Sequence, residues 1–295
     1  MLKRNSIERL KQEKFPLDIL EELPRLIASG YEAIPEEDIV RLNWWGITHD
    51  KPKVGYLGVH PQKQERLVYL GVPVPVGCVR GDQLLALAEL LEQFGGDARL
   101  TRMQNIIVTG IPRDRVQQVV ESLARMGLDP GIPKIYGRSI ACTGHRFCNF
   151  SVAQTKERLQ TILAELVQRF GTAVEELRIY ADGCPHACAH HWVGDIGLQG
   201  TTTVHPERGV RVEAYDVCLR GGLGSRAAVG KPVLRRVPED QVSEVIGRLV
   251  QGWLAERAAR GEAFTFRDFV DAHTDDELRA IGLGEAPGTQ AEEPA

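Results

Sequence analysis

Four of the six cysteines in this 295-residue chain fall into two tight pairs, Cys142-Thr-Gly-His-Arg-Phe-Cys148 and Cys184-Pro-His-Ala-Cys188. Thiolates are soft donors that suit zinc, copper(I) and iron–sulfur centres. Four of them delivered by two loops match what a cubane cluster needs, one protein sulfur for each iron. Gly144 and Gly183 would let backbone approach an inorganic core, and Pro185 stiffens the second loop. A structural zinc hook is normally closer spaced than the first pair. Two disulfides would suit an exported chain, and Met1–Glu8 has basic residues without the apolar run of a secretory signal. The expected ligands of a [4Fe–4S] cluster are therefore Cys142, Cys148, Cys184 and Cys188. Cys78 and Cys218, in apolar strand-like stretches, read as core residues.

The rest of the composition narrows the setting. Hydrophobic residues make up 43% and charged residues 26%, as in an ordinary globular protein, and the length suits one large domain or two modest ones. A net charge of -4 gives no polyanion-binding signature, so nucleic acid is not an expected partner. No segment approaches the roughly 20 apolar residues of a membrane span. The expected compartment is the cytoplasm, where clustered cysteines more often bind metal than form disulfides.

The elements that would carry the cysteines follow from periodicity. Pro16, Pro24 and Pro35 divide the charged first 50 residues into short helices. Leu67–Val74 reads as a strand, and Asp82 as the N-cap of a helix reaching Phe94, with Leu84, Leu85, Leu87, Ala88 and Leu91 on one face. Asn105–Thr109 is the next expected strand and Arg113–Met126 the next helix. A strand over Ile135–Ala141 leads into the first pair, and a helix from about Ser151 to Phe170 follows. Leu177–Tyr180 is a strand feeding the second pair. Strands near 193–199 and 210–219, a Gly221-Gly-Leu-Gly224 turn and a helix over Asp240–Arg257 complete the pattern. The Gly-, Pro-, Glu- and Ala-rich stretch from Gly284 to Ala295 reads as a disordered tail.

At the cysteines the text becomes specific. Ala141-Cys-Thr-Gly-His-Arg-Phe-Cys-Asn-Phe150, Asp182-Gly-Cys-Pro-His-Ala-Cys188 and Asp195-Ile-Gly-Leu-Gln-Gly200 resemble the ferredoxin-dependent branch of the sirohaem-containing nitrite and sulfite reductases. So do Gly58–Gln64, Leu100-Thr-Arg-Met-Gln-Asn105 and Tyr215–Gly224, so that the resemblance covers about 54–283. It implies an α/β (α+β) fold: a ferredoxin-like half-domain over 54–130, followed by a mixed-sheet domain over 131–283 for the [4Fe–4S] cluster and sirohaem. A helical extension over 1–53 would precede them, and the tail over 284–295 would follow. It also implies that Cys188 is shared between cluster and sirohaem iron, and that Gly144 and Asn149 lie beside the cofactors. Electrons from ferredoxin or a similar donor would reduce nitrite to ammonia, or sulfite to sulfide, in six one-electron steps.

The chain departs from the family in one respect. Residues 1–53 resemble the beginning of the family's first half, and near Gly55 the text passes directly to the start of the second. The missing stretch supplies most of the family's anion-gripping arginines and lysines. Thr101-Arg102-Met103-Gln104 has its arginine one position early for the family's Thr-x-Arg-Gln, which on a strand would turn it to the opposite face. Arg138, four residues before Cys142, is the surviving candidate for contact with substrate or sirohaem carboxylates. His145, His186, His190 and His191 surround the cysteines, and packing or hydrogen bonding there is the plainer reading than proton delivery. The expected assembly is a homodimer, one copy covering what the absent half would cover. The competing reading is a non-catalytic iron–sulfur partner in electron transfer or cluster assembly, with a zinc-bound interaction module as a third.

Overall fold

A computed structural model describes residues 56–285 apart from 225. The helical extension expected over 1–53 and most of the expected tail lie outside the described residues. Strands β1 (Gly58–Pro61), β2 (Leu67–Val72), β3 (Asp97–Leu100) and β4 (Ile106–Pro112) form an antiparallel sheet in the order β1-β2-β4-β3. Side chains alternate across a strand, so Val68, Leu70 and Val72 of β2 share a face, as do Ile106 and Val108 of β4. There they pack with Leu87 and Leu90 of helix α1 (Gly81–Glu92) and Val119 and Leu123 of helix α2 (Val116–Arg125).

A short helix α3 (Ile135–Arg138) precedes a second, mixed sheet. Its strands are β5 (Ile140–Ala141), β6 (Ile179–Asp182), β7 (Ile196–Val204), β8 (Arg211–Leu219) and β9 (Lys231–Pro238), paired in sequence order. The β5–β6 and β6–β7 pairs are parallel and the remaining two antiparallel. Parallel neighbours need a long crossover, which helix α4 (Lys156–Phe170) supplies between β5 and β6. Leu159, Ile162, Leu163 and Leu166 recur at helical spacing, and all four are buried. They join Trp253 and Leu249 of helix α5 (Val242–Arg260) in the main core. Removing one such leucine side chain costs about 2–5 kcal/mol. Helices α6 (Phe266–Ala272) and α7 (Asp275–Leu283) close the domain, each started by a capping box, Thr265 with Asp268 and Thr274 with Glu277. Among the described residues, no helix is long and apolar enough to cross a membrane.

Several expectations are corrected. Ile135–Ala141 is not one strand. Tyr136 N, Arg138 N and Ser139 N donate back to Pro133 O, Lys134 O and Ile135 O, so the chain coils before it extends. Pro133 presets such a start, and the turn fits Gly137 against Leu57 and Pro73, where a Cβ would clash. Helix α4 starts at Lys156 rather than Ser151, because 151–155 are held by the cysteine loops and by Glu213 of β8 instead. Helix α1 starts at Gly81, with the Gln83 side chain accepting from Arg80 N at 2.9 Å. Its buried face runs through Gln83, Leu87 and Leu90, while Leu84 and Leu85 are exposed. Cys78 is exposed after a 3-10 turn and is not a core residue, whereas Cys218 on β8 is buried. Thr101–Asn105 is a turn, not a strand, so the face argument for Arg102 does not apply.

Candidate metal centre

The two cysteine pairs begin at the carboxyl ends of adjacent parallel strands, the edge at which α/β sheets hold ligands. Ala141 pairs with Ala181, and Cys142 N donates to Ala181 O at 2.9 Å, carrying the ladder one step further. Beneath Cys142, Ile140, Tyr180 and Ala189 form a small apolar cluster with Met103 and Val193. The strand ends therefore leave the sheet on a packed floor.

The first loop is locked to the second. Cys142 Sγ accepts from Gly144 N at 3.4 Å and from Gly183 N at 3.3 Å, so backbone of both loops turns to this sulfur. Thr155 donates through Oγ1 to Cys142 O at 2.7 Å, and Val152 N donates to Gly183 O at 2.9 Å. A Cβ on Gly183 would fall 1.8 Å from Ser151 Oγ, and one on Gly144, at φ +73°, 2.7 Å from Thr155 Oγ1. These glycines are needed where the loops cross, a tighter demand than the approach to an inorganic core expected from their positions.

Cys184 is buried, Cys142 and Cys148 are half-buried, and Cys188 is exposed. The Cys188 thiol is pushed up from its ordinary value by desolvation first, then by Asp182 and by the other three thiols. Two loops deliver four thiols to one end of the sheet, a donor set that suits an iron–sulfur core. Among the described residues, no three His, Cys, Asp or Glu side chains group closely enough for a single metal ion. A cubane does not need that, because each iron takes its own cysteine. The residues present fit the cluster.

The other candidates spread around this centre. Asn149 is exposed on the first loop beside Cys148. His145 Nδ1 is 2.7 Å from Glu213 Oε1, and Glu213 Oε2 accepts from Gln154 N at 2.7 Å, which ties the first loop to β8. His186 Nδ1 is 3.4 Å from Cys184 Sγ, and its ring meets Phe150 edge-on. His190 takes a left-handed turn at φ +58°. Gly222 N donates to Ala228 O, so the Gly221–Gly224 turn spends that N–H within the fold. Arg138 sits on α3, donates to Glu176 O at 3.4 Å and lines a cavity of about 870 Å³ with His60, Lys134, Glu175 and Arg257. None of the four cysteines lines that cavity.

Sequence reasoning missed the supports. Gln104, Thr155, Asp182 and Glu213 hold the loops through hydrogen bonds to backbone. Only Asp182, adjacent to Gly183-Cys184, stood where a local signal could have marked it.

Comparison with known proteins agrees with this architecture. The family described as "Nitrite/Sulfite reductase ferredoxin-like half domain" matches residues 60–126, and "Nitrite and sulphite reductase 4Fe-4S domain" matches 138–281. The chloroplastic ferredoxin–nitrite reductase of Spinacia oleracea is 32% identical over 260 residues, covering 87% of this chain and 42% of that protein. Sulfite reductase [ferredoxin] 1 of Mycolicibacterium paratuberculosis is 33% identical over 236 residues, 78% of this chain and 41% of its own. The chain thus spans less than half the length of these relatives. The solved NirA protein of Mycobacterium tuberculosis superposes with a TM-score of 0.70 at 28% identity, over 79% of this chain and 43% of its own. Dissimilatory sulfite reductase I shares the fold, with a TM-score of 0.60 at 14% identity over 100% of this chain and 93% of its own. With the ferredoxin-like half-domain and the mixed-sheet domain both matched, the chain belongs to the nitrite and sulfite reductase family.

Proposed function

We propose that the chain is a sirohaem- and [4Fe–4S]-dependent reductase acting on nitrite or sulfite, with ferredoxin or a similar protein as electron donor, in the cytoplasm. The observation that carries this reading is the convergence of the two cysteine loops at the ends of β5 and β6, with two N–H groups turned to Cys142 Sγ. Cys142, Cys148, Cys184 and Cys188 would hold the cluster, and Cys188, the exposed one, would be shared with the sirohaem iron. When bound, the coupled pair supplies single electrons to an anion on the haem. The protein's part is to hold the thiolates, exclude water from Cys184 and present cations to anionic groups. Gly144 and Asn149 belong to the first loop beside that group. Arg138 enters as a contact for substrate or haem carboxylates, from a cavity that no cysteine lines.

Phe147, Phe150, Val152 and Trp192 are exposed near the cysteine loops, and apolar surface of this kind marks an interaction face. A second copy of the chain is the proposed occupant, giving a homodimer. A non-catalytic iron–sulfur protein is the second reading. It is favoured by the acidic neighbours in the Arg138 cavity, where Lys134 pairs with Glu175 and Arg257 with Glu176. Absorption spectra of anaerobically purified protein separate the two. Sirohaem and cluster bands together support the reductase, cluster bands alone support the carrier, and neither would overturn both.

A further inference from the structure

The loop that bears Cys184 and Cys188 starts and ends on one carboxylate. Asp182 closes β6, immediately before the loop, and is only 1% exposed. Its Oδ1 accepts from Ala189 N at 2.7 Å. Its Oδ2 accepts from His191 N at 3.1 Å and faces His191 Nδ1 at 2.9 Å. A carboxylate can only accept, so Nδ1 of His191 carries the proton between them. His191 is equally buried, and its backbone is pressed against Gly197 of β7, where a Cβ would fall 2.0 Å from His191 O. The His191 backbone is thus packed against β7 while its side chain meets Asp182.

Burying a carboxylate is costly unless donors surround it. Here three N–H groups do so, and all of them belong to two residues just beyond Cys188, Ala189 and His191. The loop is closed around this acceptor as a metal-free backbone feature, before any cofactor is considered.

We propose that Asp182 and His191 form a positioning pair that sets the spacing of Cys184 and Cys188 and lays a fixed negative charge beside the cluster. The inference rests on the cluster reading of the four cysteines. Added negative charge disfavours electron entry, so the pair holds the cluster at a lower reduction potential than its thiolates alone would give. Supports of this kind, one step removed from a metal, govern how firmly it is kept.

Three variants of the full chain test the pair. Asp182→Asn keeps the shape and removes the charge. The cluster's reduction potential should move upward, and iron release to a chelator should speed by about 10–100-fold. His191→Leu should also speed release. His191→Asn, whose side-chain N–H can stand where Nδ1–H stood, should restore much of the wild-type rate. In cluster-free protein, the amides of Ala189 and His191 should exchange hydrogen at least about tenfold faster in Asp182→Asn, because their acceptor is weakened. Unchanged potential and release rate in Asp182→Asn would overturn the proposal. So would a His191→Asn variant no better than His191→Leu, a comparison that decides even if Asp182→Asn fails to fold. Wild-type protein that holds no iron would sink the cluster reading instead. The amide exchange would still decide whether Asp182 closes the loop.

Discussion

The side chain of Gln104 pairs with the backbone of Ala141 as a neighbouring strand would: Nε2 donates to Ala141 O at 2.9 Å and Oε1 accepts from Ala141 N at 3.4 Å. β5 is only two residues long, and this amide completes its free edge immediately before Cys142. Gln104 holds a left-handed φ of +61° to reach it, with Gly77 packed close against its Cβ. The next residue, Asn105, donates to Gly137 O and Tyr56 Oη at 2.6 Å each and accepts from Val74 N at 2.8 Å. One turn of the half-domain thereby fixes the strand that leads to Cys142.

Gln104→Ala should lower stability by about 1–3 kcal/mol, the sum of two ordinary hydrogen bonds. Urea unfolding measures this. An unchanged midpoint would show that Ala141 finds other partners.

The family was legible in the sequence, and so was the placing of the two cysteine pairs after strands, because cysteine spacing is a local pattern. Helix α4 was legible through Leu159, Ile162, Leu163 and Leu166, but its start was not. Residues 151–155 are held outside the helix by Cys142 O, Gly183 O and Glu213, contacts distant in sequence. The coil at Ile135–Arg138 was hidden for a similar reason: β-branched and aromatic residues suggested a strand, while Pro133 and the fit of Gly137 against Leu57 decided otherwise. Cys78 looked like core because its neighbours are apolar, yet it follows a tight turn that points the chain outward.

Acid should loosen the α6–α7 corner. Burial pushes the carboxyls of Asp268, Asp271 and Asp275 up. Thr265, Arg226, Arg267, Arg220 and Lys231 outweigh it, leaving all three below the usual carboxylate range. A depressed folded-state value contributes stability that is present above the unfolded carboxylate value, about pH 4, and is lost as pH falls below it. These groups are about one-third exposed, so each pair is worth about 0.2–1 kcal/mol. Thermal unfolding between pH 7 and pH 3 should show the loss, and Arg226→Ala should flatten it. Equal acid sensitivity in that variant would place the titrating groups elsewhere.

Arg138→Ala should reduce turnover of nitrite or sulfite with an artificial donor by about tenfold to a hundredfold, as loss of one charge-assisted contact of about 1.5–3 kcal/mol. The cluster spectrum should remain. Full turnover in the variant would move the positive contact to Arg102, Arg146 or a second subunit.

The exposed Phe147 and Phe150, at 74% and 73%, should be covered in a homodimer. Light scattering at micromolar concentration should report twice the chain mass with cofactors bound, and Phe150→Asp should shift the population towards monomer. Monomer throughout in the unaltered protein would remove the dimer.

Cys142, Cys148, Cys184 and Cys188 are the four proposed ligands of the [4Fe–4S] cluster. Iron and acid-labile sulfide, measured in anaerobically purified single variants, test this assignment directly. Cys142→Ser, Cys148→Ser and Cys184→Ser should each lose most of both, since a hydroxyl is a poor substitute for a thiolate on iron. Cys78→Ser and Cys218→Ser should keep the full content. Cys218→Ser should differ only in stability, because that thiol is buried on β8, where desolvation pushes it up to about 12. Undiminished iron and sulfide in the first three variants, or their loss in either of the last two, would contradict the assignment.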